Sequence, residues 1–508
     1  MNIGALPTRH ARYRPEHIAL VIGDERLSFR ALNSHVNRLA NALLKSGLRK
    51  GQKFATLLTN RLELMVAYWA AAKTGIVIVP CNTLLQKSGL ATLLRDSDTA
   101  LVLADIAHAP TLRDLSTELP ALLKDGVVLV GGGTTHEIFN DYDTWVSQVS
   151  DEEPPDAALI DSDVYNIMYS SGTTGAPKGI VHTHYVRAMY CMLFASAFRM
   201  TPESVVLHAG AIVFNGAMLT LMPWMFVGCK YILHKAFDPV EVLETIEREK
   251  VTHIIMVPSQ IIALLNNPAF NPEMLDSLEM IQNLGAPLHL EYKNRINEAL
   301  PNRFYELYGV TEGFITVLDK TDAVRKAGSV GAPSAFFEIR IVDEDGRECA
   351  PGEIGEICGR GPIKMTGYYG RPDLTERTIV DGWLHTGDAG YLDDEGYLYL
   401  VDRIKDMIIS GGVNVYPKDI EEVIVRHPAV AEVAVFGVED PSWGEVPVAA
   451  VIVRPEQSVE VSELMEWINS RVDAKYQRIK DLVLVESFPR NVAGKTLKRE
   501  LREQYSRA

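Results

Sequence analysis

Disulfide and zinc chemistry have little to work with in this chain. Its 508 residues include five cysteines, Cys81, Cys191, Cys229, Cys349 and Cys358. The number is odd, no two form a C-x-x-C pair, and no nearby histidine completes a zinc pattern, so reduced thiols in a cytosolic protein are expected. The basic residues near the start are followed by no apolar core, so no secretory signal is expected there. Positive charge is also in short supply. Lys and Arg total 50 against 66 Asp and Glu, and the net charge of -16 excludes a general nucleic-acid binder, which needs a basic face. A local basic patch for a phosphorylated small molecule is still compatible with that total.

Charge is absent altogether from residues 204–229, a stretch long enough to cross a bilayer. His208, Asn215 and Pro223 interrupt it, with Gly210, Gly216 and Gly228, which suits a buried strand–turn–helix lining a cavity rather than a lipid-facing span. Internal repeats, low-complexity segments and a G-x-S-x-G elbow are missing too.

What is present alternates. The length calls for two or more domains. Leu32, Val36, Leu39, Ala40 and Leu43 recur at helical spacing ahead of Gly47. Strands are predicted at 54–58, 76–79 and 101–104, with a helix at 62–73. The rhythm resumes near Val205, at 231–233 and at 254–256, and such β–α alternation implies parallel sheet covered by helices. After about Arg325, short strands with glycine turns (339–342, 355–358, 397–401) predict a smaller antiparallel or barrel-like part. A last unit alternates helix and strand at 420–426, 433–436, 448–453 and 461–472.

The apolar run 165–169 leads into SSGTTGAPKG at residues 170–179. Gly172, Gly175 and Gly179 permit close backbone approach; Ser170, Ser171, Thr173 and Thr174 offer hydroxyls, and Lys178 adds a positive charge. These are the parts of a phosphate cradle. It is not a Walker A loop, because Pro177 stands where that pattern needs Gly and Gly179 where it needs Ser or Thr.

Six further segments follow in order: LGAPL (284–288), YELYGVTE (305–312), GEIGEICGRG (352–361), GWLHTGD (382–388), VDRIKDMIISGGVNVYP (401–417) and PRNVAGKTLKREL (489–501). With the loop, they make the chain resemble the adenylate-forming superfamily of acyl-CoA synthetases, luciferases and peptide-synthetase adenylation domains along essentially its whole length. The resemblance implies a large N-terminal AMP-binding domain (1–402) of parallel α/β sheets plus a small β-barrel-like part. A hinge (403–405) and a small, mobile α+β C-terminal domain (406–508) follow.

The resemblance also implies roles. The loop residues, Thr311 and Lys178 would face the phosphates of ATP. Tyr308, with Glu306 and Gly309 in the same motif, and the turn Gly285, Ala286 and Pro287 would hold adenosine. Asp388 would accept hydrogen bonds from the ribose hydroxyls, and Arg403 would be a fixed cation near ribose and phosphate. Glu312 resembles the carboxylate that holds Mg²⁺ on phosphate oxygens. Lys495 would bridge the attacking carboxylate and the α-phosphate. Gly411 and Gly412 would admit the pantetheine arm of coenzyme A, with Lys405 at the hinge.

The implied activity is an AMP-forming acid–CoA ligase using ATP, Mg²⁺ and coenzyme A. The alternatives are an adenylating enzyme with another acceptor and a non-catalytic nucleotide- or acyl-binding relative. Where amino-acid activators carry Phe-Asp, this chain has Phe214-Asn215, and a neutral amide makes a poor counter-ion for an ammonium. Val213, Phe214, Asn215, Gly216 and Phe314 would line the acyl pocket, predicting a fatty or aryl acid rather than a dicarboxylate. Val213 stands where many relatives carry a gating histidine, and His208 lies five residues earlier. The H-x-H of His182 and His184 is read as structural. A cytoplasmic location and a homodimer complete the expectations.

Overall fold

The computed structural model describes residues 1–131, 139–170, 178–403, 406–410, 413–455, 457–472, 474–490 and 496–506, with Ser170 and Arg403 described as strand positions only. Two large sheets dominate. The first runs, in spatial order, through 367–368, 178–183, 164–170, 77–80, 53–57, 99–105, 127–130 and 140–141. It is parallel except at the end where Val164–Ser170, Lys178–Thr183 and Gly367–Tyr368 pair antiparallel. The second runs through 332–333, 314–318, 304–310, 280–283, 253–256, 205–208, 230–233, 18–22 and 25–28. It is parallel from 304–310 to 18–22 and antiparallel at both edges.

Alternation along the strands decides how these sheets stack. Val206 and Ile255 turn into the central core, whereas Leu207, Ile254 and Met256 turn to the outer one, as a period of two requires. The central core is filled by helices Leu62–Thr74, His184–Ala197 and Met218–Val227. The first is apolar on every side, and residues 64–74 are all buried, which is what a helix between two sheets needs. Trp69 and Trp224 meet edge to face at 6.2 Å and join it to the third. Outer helices, including Pro239–Glu249 and Leu290–Ala299, cover the far side of the second sheet.

An antiparallel sheet of Glu338–Val342, Gly355–Arg360, Trp383–Leu392 and Leu398–Arg403 follows, as the short glycine-punctuated strands predict. A fourth sheet takes its strands from 408–484 and has its own core. The expected elements are present with small shifts. The helix predicted at 420–426 runs Pro417–Ile424, because Pro417 suits a first turn where no N–H is needed. The uncharged 204–229 stretch is strand Val205–His208, a turn, and helix Met218–Val227. Among the described residues, no helix is long and apolar enough to cross a membrane.

Candidate active site

Strands Met280–Asn283 and Phe304–Val310 lie side by side and parallel, and their C-terminal ends carry two of the motifs. Ligands in α/β proteins bind at such ends. After the first strand, the 284–288 turn passes through Gly285 at φ 85°, a left-handed conformation that any side chain would strain. Asn283 Nδ2 donates to Ala286 O at 3.0 Å and to Glu306 Oε1 at 3.2 Å. Glu306 is 1% exposed and forms an ion pair with Lys293, which is also buried. The structure thus places Glu306 behind the Gly285–Ala286–Pro287 turn as its support. Asn283 and Lys293 had no signal in the motifs.

The second strand presents Tyr308, whose hydroxyl donates to Asp388 Oδ2 at 2.9 Å across 80 residues of sequence. Asp388 pairs in register with Arg403 on the neighbouring antiparallel strand, so the two motif residues are cross-strand neighbours. Glu356 holds the preceding turn: its Oε1 accepts from Gly387 N at 3.0 Å and its Oε2 contacts His385 Nδ1 at 2.8 Å. The ligand atoms of Glu356, Cys358 and His385 lie within 4.8 Å of one another, an arrangement this turn-holding role explains. Gly309 sits opposite Ile315 in the tight hairpin to strand Phe314–Leu318.

Thr311 and Glu312 occupy that hairpin's turn. Glu312 Oε1 accepts from the Tyr368 hydroxyl at 2.8 Å, and Lys178 Nζ lies 5.4 Å from the centre of the Tyr368 ring. Burial and the Glu312 carboxylate hold the Tyr368 phenol well above its usual pKa. Glu312 offers the hard oxygen donor that Mg²⁺ prefers, so the residue fits the metal expected there. Thr311 is held from below. His182 and Asn166 face each other on adjacent strands, and the Arg187 guanidinium donates to both, Nε to Asn166 Oδ1 at 2.9 Å and Nη2 to His182 Nδ1 at 3.1 Å. His182 Nδ1 must then be the acceptor, and its protonated Nε2 donates to Thr311 O at 2.9 Å. Burial first, then the Arg187 charge, pushes the His182 pKa far below the usual histidine value, so the ring is neutral.

Gly216 packs on Leu284, where a Cβ would stand 2.6 Å from Cδ1. The chain at 213–216 therefore abuts the 284–288 turn. Val213 is buried, Phe214 half-buried, and Asn215 Nδ2 donates to the Tyr190 hydroxyl at 3.0 Å. Phe314 is wholly buried, with its ring 6.5 Å from Tyr308 and 6.1 Å from Phe337. His208 lies against Tyr231 at 6.3 Å, and burial lowers its pKa to about 4. Ser171, Gly172, Thr173, Thr174, Gly175, Lys405, Gly411, Gly412 and Lys495 lie outside the described residues.

Residues 7–369 match the model of the AMP-binding enzyme family, and residues 419–495 match that of the AMP-binding enzyme C-terminal domain. The chain belongs to the AMP-binding enzyme family. Among its relatives is a feruloyl-CoA synthase of Amycolatopsis sp, 34% identical over 508 residues, with 99% of each chain covered. A long-chain-fatty-acid–CoA ligase, FadD13 of Mycobacterium tuberculosis, is also 34% identical, over 511 residues and 99% of each chain. The crystal structure of ATP-bound MatB from Rhodopseudomonas palustris superposes with a TM-score of 0.91 at 28% identity, covering 99% of each chain. In this AMP-binding enzyme the seven motifs are therefore read on the family's own fold.

Proposed function

We propose that this protein is an AMP-forming acid–CoA ligase. In the first half-reaction a carboxylate oxygen attacks the α-phosphorus of ATP, the bond to the β-phosphate oxygen breaks, and pyrophosphate leaves. In the second, the sulfur of coenzyme A attacks the acyl carbon and AMP leaves. The observation that carries the reading is the convergence of Tyr308, Asp388 and Glu312 at the end of one strand, joined by the Tyr308–Asp388 hydrogen bond of 2.9 Å. An aromatic ring for adenine, a carboxylate for ribose and a hard oxygen donor beside the phosphates are the three recognition tasks that ATP sets. Mg²⁺, held by Glu312 when bound, would withdraw charge from the phosphate oxygens.

The chain's own residues do the rest. Asn283 and Glu306 fix the turn that lets backbone approach adenine, and the His182–Thr311 bond fixes the hairpin turn that carries Glu312. Lys495, after Gly494, would supply the cation for the meeting of two anions, and Gly411 and Gly412 would admit the pantetheine arm. The division at 403–405, with Lys405 as pivot, belongs to the same reading, as do a homodimer and a cytoplasmic location.

Two relatives, one named for an aryl acid and one for long-chain fatty acids, support an acid with a hydrophobic body. So does the uncharged 213–216 segment. The test is a panel of fatty, phenylpropanoid and benzoic acids assayed for coenzyme A-dependent AMP release, alongside acid-dependent exchange of labelled pyrophosphate into ATP. Exchange without coenzyme A-dependent release would point to another acceptor. No exchange with any acid would sink the enzyme reading.

A further inference from the structure

One segment, 363–369, ties together the places that the proposed site gives to phosphate and to metal. Its edge strand Gly367–Tyr368 pairs antiparallel with strand Lys178–Thr183 of the first sheet. Tyr369 N donates to Gly179 O at 2.7 Å, and Thr366 N to Val181 O at 3.2 Å. Next to Thr366, Met365 N donates to Glu312 O at 2.8 Å, in the hairpin turn of the second sheet. That turn presses on the segment: at Gly313, with φ 111°, a Cβ would stand 2.1 Å from Ile363 O. Lys178 and Glu312 come from different sheets, and this segment is the bridge between them.

Both side chains are half-buried, and among the described residues neither enters an ion pair. Opposite charges attract more strongly where water is partly excluded, so two of them around one ring are expected to pair unless something holds them apart. What each meets instead is Tyr368, which is 7% exposed. Its hydroxyl donates to Glu312 Oε1 at 2.8 Å, because an ionised carboxylate can only accept. Glu312 Oε2 accepts no hydrogen bond from the described residues. Lys178 Nζ lies 5.4 Å from the centre of the same ring, a contact that uses none of its three N–H donors.

We infer that Tyr368 is a positioning residue that keeps Glu312 and Lys178 from pairing with each other, so that one carboxylate oxygen stays open to Mg²⁺ and the ammonium stays open to phosphate. Tyr368 lies outside all seven motifs and touches no reacting atom; it acts through the two residues it holds. A hydrogen bond on one oxygen of a ligating carboxylate fixes how the other is presented, and such partners tune metal affinity. The inference rests on the reading of Glu312 and Lys178 as the metal and phosphate residues of the proposed ligase.

The test is calorimetric binding of ATP to the full-length protein with no acid present, in excess EDTA and across a Mg²⁺ titration. Mg²⁺ should tighten ATP binding to the wild-type protein. Tyr368→Phe keeps the ring beside Lys178 and loses the phenol. It should raise the Mg²⁺ concentration for half-maximal tightening by about tenfold, the scale of losing a partner of a metal ligand, and leave Mg²⁺-free binding as it was. Tyr368→Leu removes the ring as well, so the two charges can meet, and Mg²⁺-free binding should weaken too. Adding Glu312→Gln to Tyr368→Leu should restore Mg²⁺-free binding, a rescue that mere loss of packing would not give. Wild-type Mg²⁺ dependence in Tyr368→Phe overturns the inference, as does failure of the rescue. Should Tyr368→Leu not fold, Tyr368→Phe, which removes only the hydroxyl, decides alone. If the wild-type protein binds ATP but no acid supports pyrophosphate exchange, the ligase reading fails and the Mg²⁺ shift still decides the role of Tyr368. Wild-type ATP binding that is indifferent to Mg²⁺ overturns the inference and leaves the ligase reading to the exchange assay.

Discussion

His182 shows how a single side chain is committed by its neighbours. Arg187 donates to Nδ1, so the imidazole proton is forced to Nε2 and from there to the Thr311 carbonyl. The ring is a spacer between a core cation and the turn that carries Glu312, and it works only while neutral. His184 and His208 are also held neutral, burial lowering each pKa to about 4. The sign of the linkage follows. The folded forms of these histidines bind a proton less readily than the unfolded chain, whose histidines titrate near 6.5. Stability is therefore full above that value and falls as the pH drops from about 6.5 toward 4. Urea midpoints at pH 7.5, 6.0 and 5.0 should decline in that order, and equal midpoints would contradict buried neutral histidines.

The relevant elements are the parallel strands Met280–Asn283 and Phe304–Val310, with helix Leu290–Ala299 behind them. The helix contributes Lys293, the second strand Glu306 and the first strand Asn283, which together hold the turn at Gly285. A buried ion pair is poor evidence of net stability, but removing one partner leaves a charge in the core. Lys293→Met should destabilise the protein by about 3–5 kcal/mol, and the double variant Lys293→Met with Glu306→Leu should recover most of that loss. Chemical denaturation of the three proteins measures both steps. If the double variant is stable yet its KM for ATP is raised, the pair's purpose is to position the turn.

At the scale of the molecule, described residues of the stretch after 406 meet those before 403 in polar contacts. Lys418 Nζ donates to Leu400 O at 2.6 Å, His289 Nδ1 meets Glu422 at 3.3 Å, and Arg454 meets Glu291 at 3.9 Å. Contacts of that kind are compatible with a unit that turns between half-reactions. The proposed division of labour predicts that Lys495→Ala will lower pyrophosphate exchange by more than about a hundredfold, the scale of removing one charge-stabilising group. Thioester formation from supplied acyl-AMP should be largely spared. Equal loss of both half-reactions would remove Lys495 from the role assigned to it.

The sequence alone determined the reaction class and the order of the elements, because both are written in short runs. A glycine turn, a strand and a motif each depend on residues a few positions apart, and local spacing is what a sequence displays. The strands at 53–57, 205–208 and 253–256 were legible for that reason, and the motifs supplied Tyr308, Glu312 and Asp388 as the residues of the proposed site. Only the tertiary structure decided what holds those residues in place. Tyr308 reaches Asp388 across 80 positions, Tyr368 reaches Glu312 across 56, and His182 reaches Thr311 across 129. Nothing in the local pattern announces such partners, because burial and hydrogen bonding are set by which strands lie side by side. Arg187 is the clearest case. In the sequence it is one more cation on a helix, and only the packing of two sheets around that helix shows a charge in the core with no carboxylate partner among the described residues.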